Sequence, residues 1–461
     1  MRAERGAAAG PGHAGMHAAA TIMATFRRGA YDGRRPHRPM KHAQGAPHMS
    51  NIAADVHSAI LAIREPDIPS REVSISRYPT IQEAVDYCAQ RGGGRVTVPE
   101  GHWLSGPIHL RSNVELHVEA GATIEFSPKP ADYLPAVFTR WEGTECWNYS
   151  PLVYARDCHD VALTGSGTLM GNGMEWWDWK QAQKAGSQRL YDLAVAGTPV
   201  DERVFGTEQD ALRPSFVQFV NCRNALVEGV TLEEGPMWTI HPVYCEDLIV
   251  RGVRINSIGP NTDGCNPDSC RNVLIEGCRF NTGDDCIAID AGLNEDGWRV
   301  NRPCENVEIS HCTMLGGHGG ISIGSMVSGG VRNVYAHDCS LVAVERGIRI
   351  KSMRGRGGYV EDALFENLTI KAVKYEAVSF NMFYPSSTVE PKNAAPSALR
   401  RVTLRHVTGS GAATALEFRG LPEEPLRGIA LDSVYLTAGE AIRSSDVVDL
   451  TMRDVQLAAE A

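Results

Sequence analysis

The sequence has no apolar run of about 18 or more residues, so it offers no candidate for a helix that crosses a membrane. It has no Cys-x-x-Cys pair among its twelve cysteines, which argues against a zinc ribbon. Helical periodicity is scarce. Basic charge is also short: 45 Lys and Arg stand against 55 Asp and Glu. Residues 1–48 hold eight of those basic residues and two of the acidic ones, so the remaining body has 37 basic against 53 acidic residues, a net of −16. Such a body is a poor general binder of nucleic acid, and an anionic ligand needs a local basic pocket. An export signal is missing too. The weakly apolar stretch around Ala18 to Phe26 precedes Arg27-Arg28, the wrong order for a secretory leader, and the expected location is cytoplasmic.

Residues 1–48, rich in Ala, Gly, Arg, His and Pro, read as a disordered basic extension or as an upstream start that is not used, with Met49 as the real beginning. Residues 49–79 form a lead-in, including a short helix over 50–64. Thr80-Ile81-Gln82-Glu83 has capping-box spacing and starts a helix that Gly92-Gly93-Gly94 ends. Period-two alternation follows at Arg95–Val98, Val114–Val118 and Thr123–Phe126.

A four-residue pattern then recurs, a polar pair flanked by apolar residues. Its copies include Cys158-His159-Asp160-Val161, Cys222-Arg223-Asn224-Ala225, Cys245-Glu246-Asp247-Leu248, Cys270-Arg271-Asn272-Val273, Cys304-Glu305-Asn306-Val307 and Val331-Arg332-Asn333-Val334. Weaker copies continue to Val447-Val448-Asp449-Leu450. From Ala225 onward the fourth residues lie 23, 25, 34, 27, 29, 39, 27 and 21 apart. Irregular periods in the twenties and thirties with β-type alternation indicate an all-β fold, a right-handed parallel β-helix over residues 80–461 with an N-terminal capping helix. A propeller needs about 40 or more residues per blade. The cysteines at recurring places read as small apolar core residues. The longest insertion, between Ser166 and Val217, reads as a loop whose Trp176, Trp177, Trp179 and Tyr191 either pack inside or wall a sugar subsite.

Four clusters stand out: Asn261-Thr262-Asp263-Gly264, Gly283-Asp284-Asp285-Cys286, Gly317-His318-Gly319-Gly320 and Arg346-Gly347-Ile348-Arg349-Ile350-Lys351. Aligning the strands that follow them puts Cys265, Ile287, Ile321 and Ile348 in one inward column and points Arg349 and Lys351 outward. Adjacent turns of a parallel sheet lie about 4.8 Å apart. Asp263 then sits over Asp285, with Asp284 diagonal to both and beside His318. Three carboxylates this close cannot all ionise freely, so at least one becomes a proton donor beside a base, the pairing glycosidic cleavage requires.

These clusters resemble the signature of glycoside hydrolase family 28, the polygalacturonases, from about Thr80 to about Tyr384. Val137–Gly143 and Trp238-Thr239-Ile240-His241-Pro242 resemble its bacterial branch. The resemblance implies an inverting hydrolase of α-1,4-galacturonosidic bonds in polygalacturonate or pectic oligosaccharides that needs no metal or cofactor. It implies that Asp284 is the general acid, that Asp263 and Asp285 activate water, that His318 orients the acid, and that Arg349 and Lys351 hold a galacturonate carboxylate. Asn261, Trp238 and His241 count as further substrate contacts, with Trp141, Glu142 and Tyr384 weaker candidates. Asp290 stands where bacterial relatives usually carry lysine, and Met326 where glutamate is common. The alternatives are a pectate or rhamnogalacturonan lyase, a rhamnogalacturonan-type hydrolase, and a β-helix that only binds acidic glycans. Oligomeric state is not legible.

Overall fold

The computed structural model describes residues 52–384 and 395–459. The extension expected over residues 1–48, and the start at Met49, lie outside them. Parallel pairing dominates. Strands Gly94–Val98, Val114–Val118, His159–Gly165, Arg223–Glu228, Glu246–Arg251, Arg271–Glu276, Cys304–Ser310 and Val331–His337 stack in that order, each in parallel register with the next. A second stack runs beside it from Ala122–Phe126 through Thr168–Met170, Thr231–Glu233, Arg254–Ser257 and Arg279–Thr282. The coil is the right-handed parallel β-helix that the repeats imply.

The repeat has a physical cause. Its third residue lies in the left-handed region at every copy: Asp160, Asn224, Asp247, Asn272, Asn306 and Asn333 have φ between 49° and 60°. Asn and Asp tolerate that conformation better than other non-glycine residues. Their amides also form a ladder, Asn272 donating to Asp247 at 2.8 Å, Asn306 to Asn272 at 2.9 Å and Asn333 to Asn306 at 3.0 Å. The first and fourth residues point into the core: Cys245, Cys270, Cys304, Leu248, Val273 and Val307 are inaccessible to solvent. All twelve cysteines are buried and free, so they pack as small apolar residues and form no bridges.

Helix α1 (Ile52–Leu61) lies along the flank of the first stack, against strands Arg271–Glu276, Cys304–Ser310 and Val331–His337. Helix α2 (Ile81–Gln90) begins as the capping box requires. Thr80 accepts the Glu83 backbone N–H, and Ile81, Ala84, Val85 and Cys88 are buried against the first turns. The insertion between Ser166 and Val217 departs from the expected loop. It contains a strand, a one-turn helix α3 (Met174–Trp177) and the 17-residue α4 (Trp179–Val195). Trp176 is fully buried and packs edge-on against Trp179, with ring centroids 5.1 Å apart. Among the described residues no helix is long and apolar enough to cross a membrane.

Candidate active site

A third row of strands carries the site. Cys265 pairs with Ile287, Ile287 with Ile321, and Ile321 with Ile348, which is the expected inward column. All four side chains are fully buried. The alternating residues therefore face out, and the three aspartates occupy the turns just before these strands. One carboxylate oxygen from each of Asp263, Asp284 and Asp285 lies within 4.8 Å of the others. The ladder also fixes their backbones: the Gly264 N–H donates to the Asp285 carbonyl at 2.9 Å, and the Thr239 N–H to the Asp263 carbonyl at 2.8 Å. At Gly317 the φ is 122° and an added Cβ would lie 2.4 Å from the Asp284 carbonyl oxygen, so only glycine lets His318 come this near Asp284.

Each aspartate has a different environment. Asp285 is inaccessible and ion-paired with Lys351 Nζ at 2.6 Å, while Arg349 Nη1 approaches at 3.5 Å. Asp263 accepts from Asn266 at 2.9 Å through Oδ2, but its buried Oδ1 has no partner among the described residues. Burial first, then the charges of Asp284 and Asp285, raise its carboxyl well above the usual range. Asp284 Oδ1 accepts the Asp285 N–H at 3.0 Å and lies 3.0 Å from His318 Nδ1. Burial works to raise Asp284 as well, but the His318 hydrogen bond and the Lys351 charge outweigh it and hold the carboxyl below its ordinary value. His318 is raised in turn, chiefly by its hydrogen bond to Asp284. Of the three carboxyls, Asp263 is therefore the one whose surroundings favour the protonated form, while the hydrogen bond to His318 favours an ionised Asp284 beside a protonated imidazole.

Beside the aspartates is a cavity of about 250 Å³. Its wall includes Trp238, Asn261, the three aspartates, Asp290, Met326 and Lys351, and is completed by Glu142, Leu293, Arg356 and Tyr384. His318 and Arg349 stand outside this wall. His318 is half-exposed, and Arg349 lies with its guanidinium carbon 5.0 Å from the Tyr384 ring centre. Asp284 therefore lies between the cavity and the half-exposed His318.

Several expected contacts are placed differently. Lys351 is committed to Asp285, so it reaches a substrate carboxylate only as part of that pair. Asn261 lines the cavity, but its Oδ1 is taken by Lys180 and by Arg213, the latter at 2.8 Å. His241 is not brought to the cavity. It is buried behind Trp238, with ring centroids 4.6 Å apart, and faces Gln218 Nε2 at 2.8 Å, so it supports the wall. None of the insertion's tryptophans lines the cavity; Trp177 donates to the Gly235 carbonyl at 3.0 Å. Asp290 shares its column with Asp268, as the alignment implies. Burial, then the Asp268 charge, push it up to about 8. Arg356 was not singled out by sequence; its only signal is an arginine in a run of glycines just after the fourth cluster.

A parallel coil with stacked aspartates on one outer strand row and a basic pair beside them defines a class of carbohydrate-active β-helix. The chain belongs to glycosyl hydrolases family 28, whose model matches residues 200–454, and it is a glycoside hydrolase. Among solved structures it is similar to a hyperthermoactive exopolygalacturonase from Thermotoga maritima, with 39% identity, a TM-score of 0.84, and coverage of 89% of this chain and 96% of that one. It has the fold of a polygalacturonase from Erwinia carotovora, with 23% identity, a TM-score of 0.64, and coverage of 84% and 98% of the respective chains. A probable polygalacturonase from Vitis vinifera is 29% identical over 75% of this chain and 67% of its own length.

Proposed function

We propose that the enzyme hydrolyses α-1,4-galacturonosidic bonds in polygalacturonate or pectic oligosaccharides, with inversion, and that it acts from a chain end. The observation that carries this reading is the meeting of three carboxylate oxygens within 4.8 Å of one another, with Lys351 and Arg349 on one of them.

The roles follow from the surroundings. Asp284 lies at the boundary of the cavity, where the oxygen joining an enclosed sugar to an exposed one would fall. Hydrogen-bonded to half-exposed His318, it protonates that oxygen, and the pair acts as one acid. Asp285, held by Lys351, takes the proton of a water positioned between it and Asp263. Asp263 in its neutral form keeps the trio from carrying three negative charges and hydrogen-bonds the same water.

End-on action is supported by the size of the cavity. About 250 Å³ is below the roughly 300–1,000 Å³ of a site for a drug-sized ligand, a size that suits a saccharide end. Glu142, Leu293 and Arg356 belong to its wall.

Carboxylates this close ordinarily accompany retention, because inverting pairs stand about 6.5–9.5 Å apart to leave room for water. Two aspartates sharing one water relax that requirement. Proton NMR of the first product formed from trigalacturonate decides the point: the β anomer is expected at early times, and an initial α anomer contradicts the mechanism.

A further inference from the structure

Arg356 is the unmatched charge of the cavity. Buried cations elsewhere around the site are neutralised: Arg140 pairs with Asp268 at 2.9 Å, Arg203 with Asp296 at 2.6 Å, and Lys351 with Asp285 at 2.6 Å. Arg213, also buried, is saturated by neutral acceptors, the Gln183 side chain, the Pro236 and Pro260 carbonyls and Asn261. Arg356 has neither solution. Among the described residues it forms no ion pair; Nη1 donates to the neutral Asn294 Oδ1 at 2.9 Å, and its buried Nε has no partner. An arginine left this way at a cavity wall costs desolvation energy that the nearby acidic groups, Glu142 and Asp290 among them, do not offset, unless a ligand supplies the anion.

The rest of the wall fits an anion only if Arg356 receives it. Lys351 is spent on Asp285. Glu142 and Asp290 also face the cavity, and burial raises both carboxyls, Asp290 up to about 8. Raised in this way, they repel a second carboxylate less than two ordinary carboxylates would. The loop that carries Arg356 is anchored from outside, since Trp298 Nε1 donates to the Arg356 carbonyl at 3.0 Å. Gly355, Gly357 and Gly358 around it have φ of 90°, 57° and 65°. A planar guanidinium in a fixed loop suits bidentate recognition of a carboxylate.

We infer that Arg356 is the specificity-determining anchor for the carboxylate of the terminal, non-reducing uronic acid, held in the cavity while the rest of the chain leaves past His318 and Arg349. This rests on the end-on hydrolase reading above and adds to it the residue that makes the enclosed site demand a uronic acid.

The test compares two digalacturonates, one with both carboxylates free and one methyl-esterified at the non-reducing residue only. The wild-type enzyme should prefer the free acid. In R356Q the ratio of the two kcat/KM values should fall roughly 100-fold or more, the scale of removing one partner of a buried charge pair. R356K, which keeps the charge but not the fork, should lower the ratio by about tenfold and serves if R356Q does not fold. A ratio that stays at the wild-type value in the folded variants overturns the inference, whether or not overall activity drops.

Calorimetry provides a second readout independent of turnover. Galacturonate binding should weaken in R356Q or R356K while galactose binding stays the same, and equal effects on both sugars contradict the assignment. Should the wild-type enzyme cleave neither disaccharide, the hydrolase reading itself fails, and the calorimetric comparison still decides the role of Arg356.

Discussion

At the scale of single residues, proton placement governs both activity and stability. The Asp284–His318 pair holds a proton to a pH above the ordinary histidine value of 6.5, because the hydrogen bond to Asp284 raises His318. Activity should therefore decline on the alkaline side as the pair loses that proton. H318Q keeps a hydrogen-bond donor near Asp284 but removes the proton store, so the alkaline limb of kcat/KM should move to lower pH. A limb that stays in place would remove His318 from the acid. Asp290 gives a test of stability. Its folded carboxyl is raised to about 8, so the native state binds more protons than the unfolded chain, and stability falls as pH rises from about 4 through about 8. D290N keeps the oxygen that accepts the Met326 N–H at 3.2 Å and abolishes the titration. Thermal unfolding should show it more stable than the wild type at pH 8, by at least about 2 °C, with the difference shrinking toward pH 4. A gain equal at both pH values would show that Asp290 is not the titrating group.

At the scale of elements, the turn residues determine which side chains meet. Asn306 combines a φ of 56° with two ladder bonds, one to Asn272 and one from Asn333. N306A should lose about 2 kcal/mol from strain and hydrogen bonding together, measured by denaturant unfolding, and N306G should recover the strain component only. If both variants unfold like the wild type, the ladder contributes nothing. This element was legible in sequence because the polar pair, the left-handed corner and the inward apolar residue fall at fixed offsets in every turn. The capping box at Thr80 and the strand register behind Asp263, Asp285 and Arg349 were legible for the same reason, since a period of two leaves each side chain only one face. Helix α4 was not. Its buried positions Gln183, Gly186, Leu190 and Ala194 do follow helical spacing, but two of the four are not hydrophobic, so no apolar stripe appears. Gly186 is there because an added Cβ would lie 2.1 Å from the Asp210 carbonyl oxygen, a packing constraint that sequence does not announce. His241 and Arg356 were missed in opposite directions. Proximity in the chain placed one beside the site that Trp238 screens from it, and a glycine-rich loop brings the other back from beyond the last cluster.

At the scale of the whole molecule, the coil converts sequence distance into proximity. Residues 22 and 66 positions apart, Asp263 with Asp285 and Asp285 with Lys351, come to share one surface because each intervening segment is one or more complete turns. The body is acidic overall, so the proposed recognition of an anionic saccharide rests on a few local cations, Arg356 and Arg349, with Lys351 already paired to Asp285. The most direct measurement is incubation of the purified enzyme with digalacturonate, following new reducing ends and ultraviolet absorbance together. Hydrolysis predicts reducing ends rising to saturated galacturonate with no absorbance change, and loss of that activity by at least about 10²-fold in D284N. An ultraviolet-absorbing unsaturated product, or full activity in D284N, would contradict the assignment of these aspartates as the hydrolytic centre.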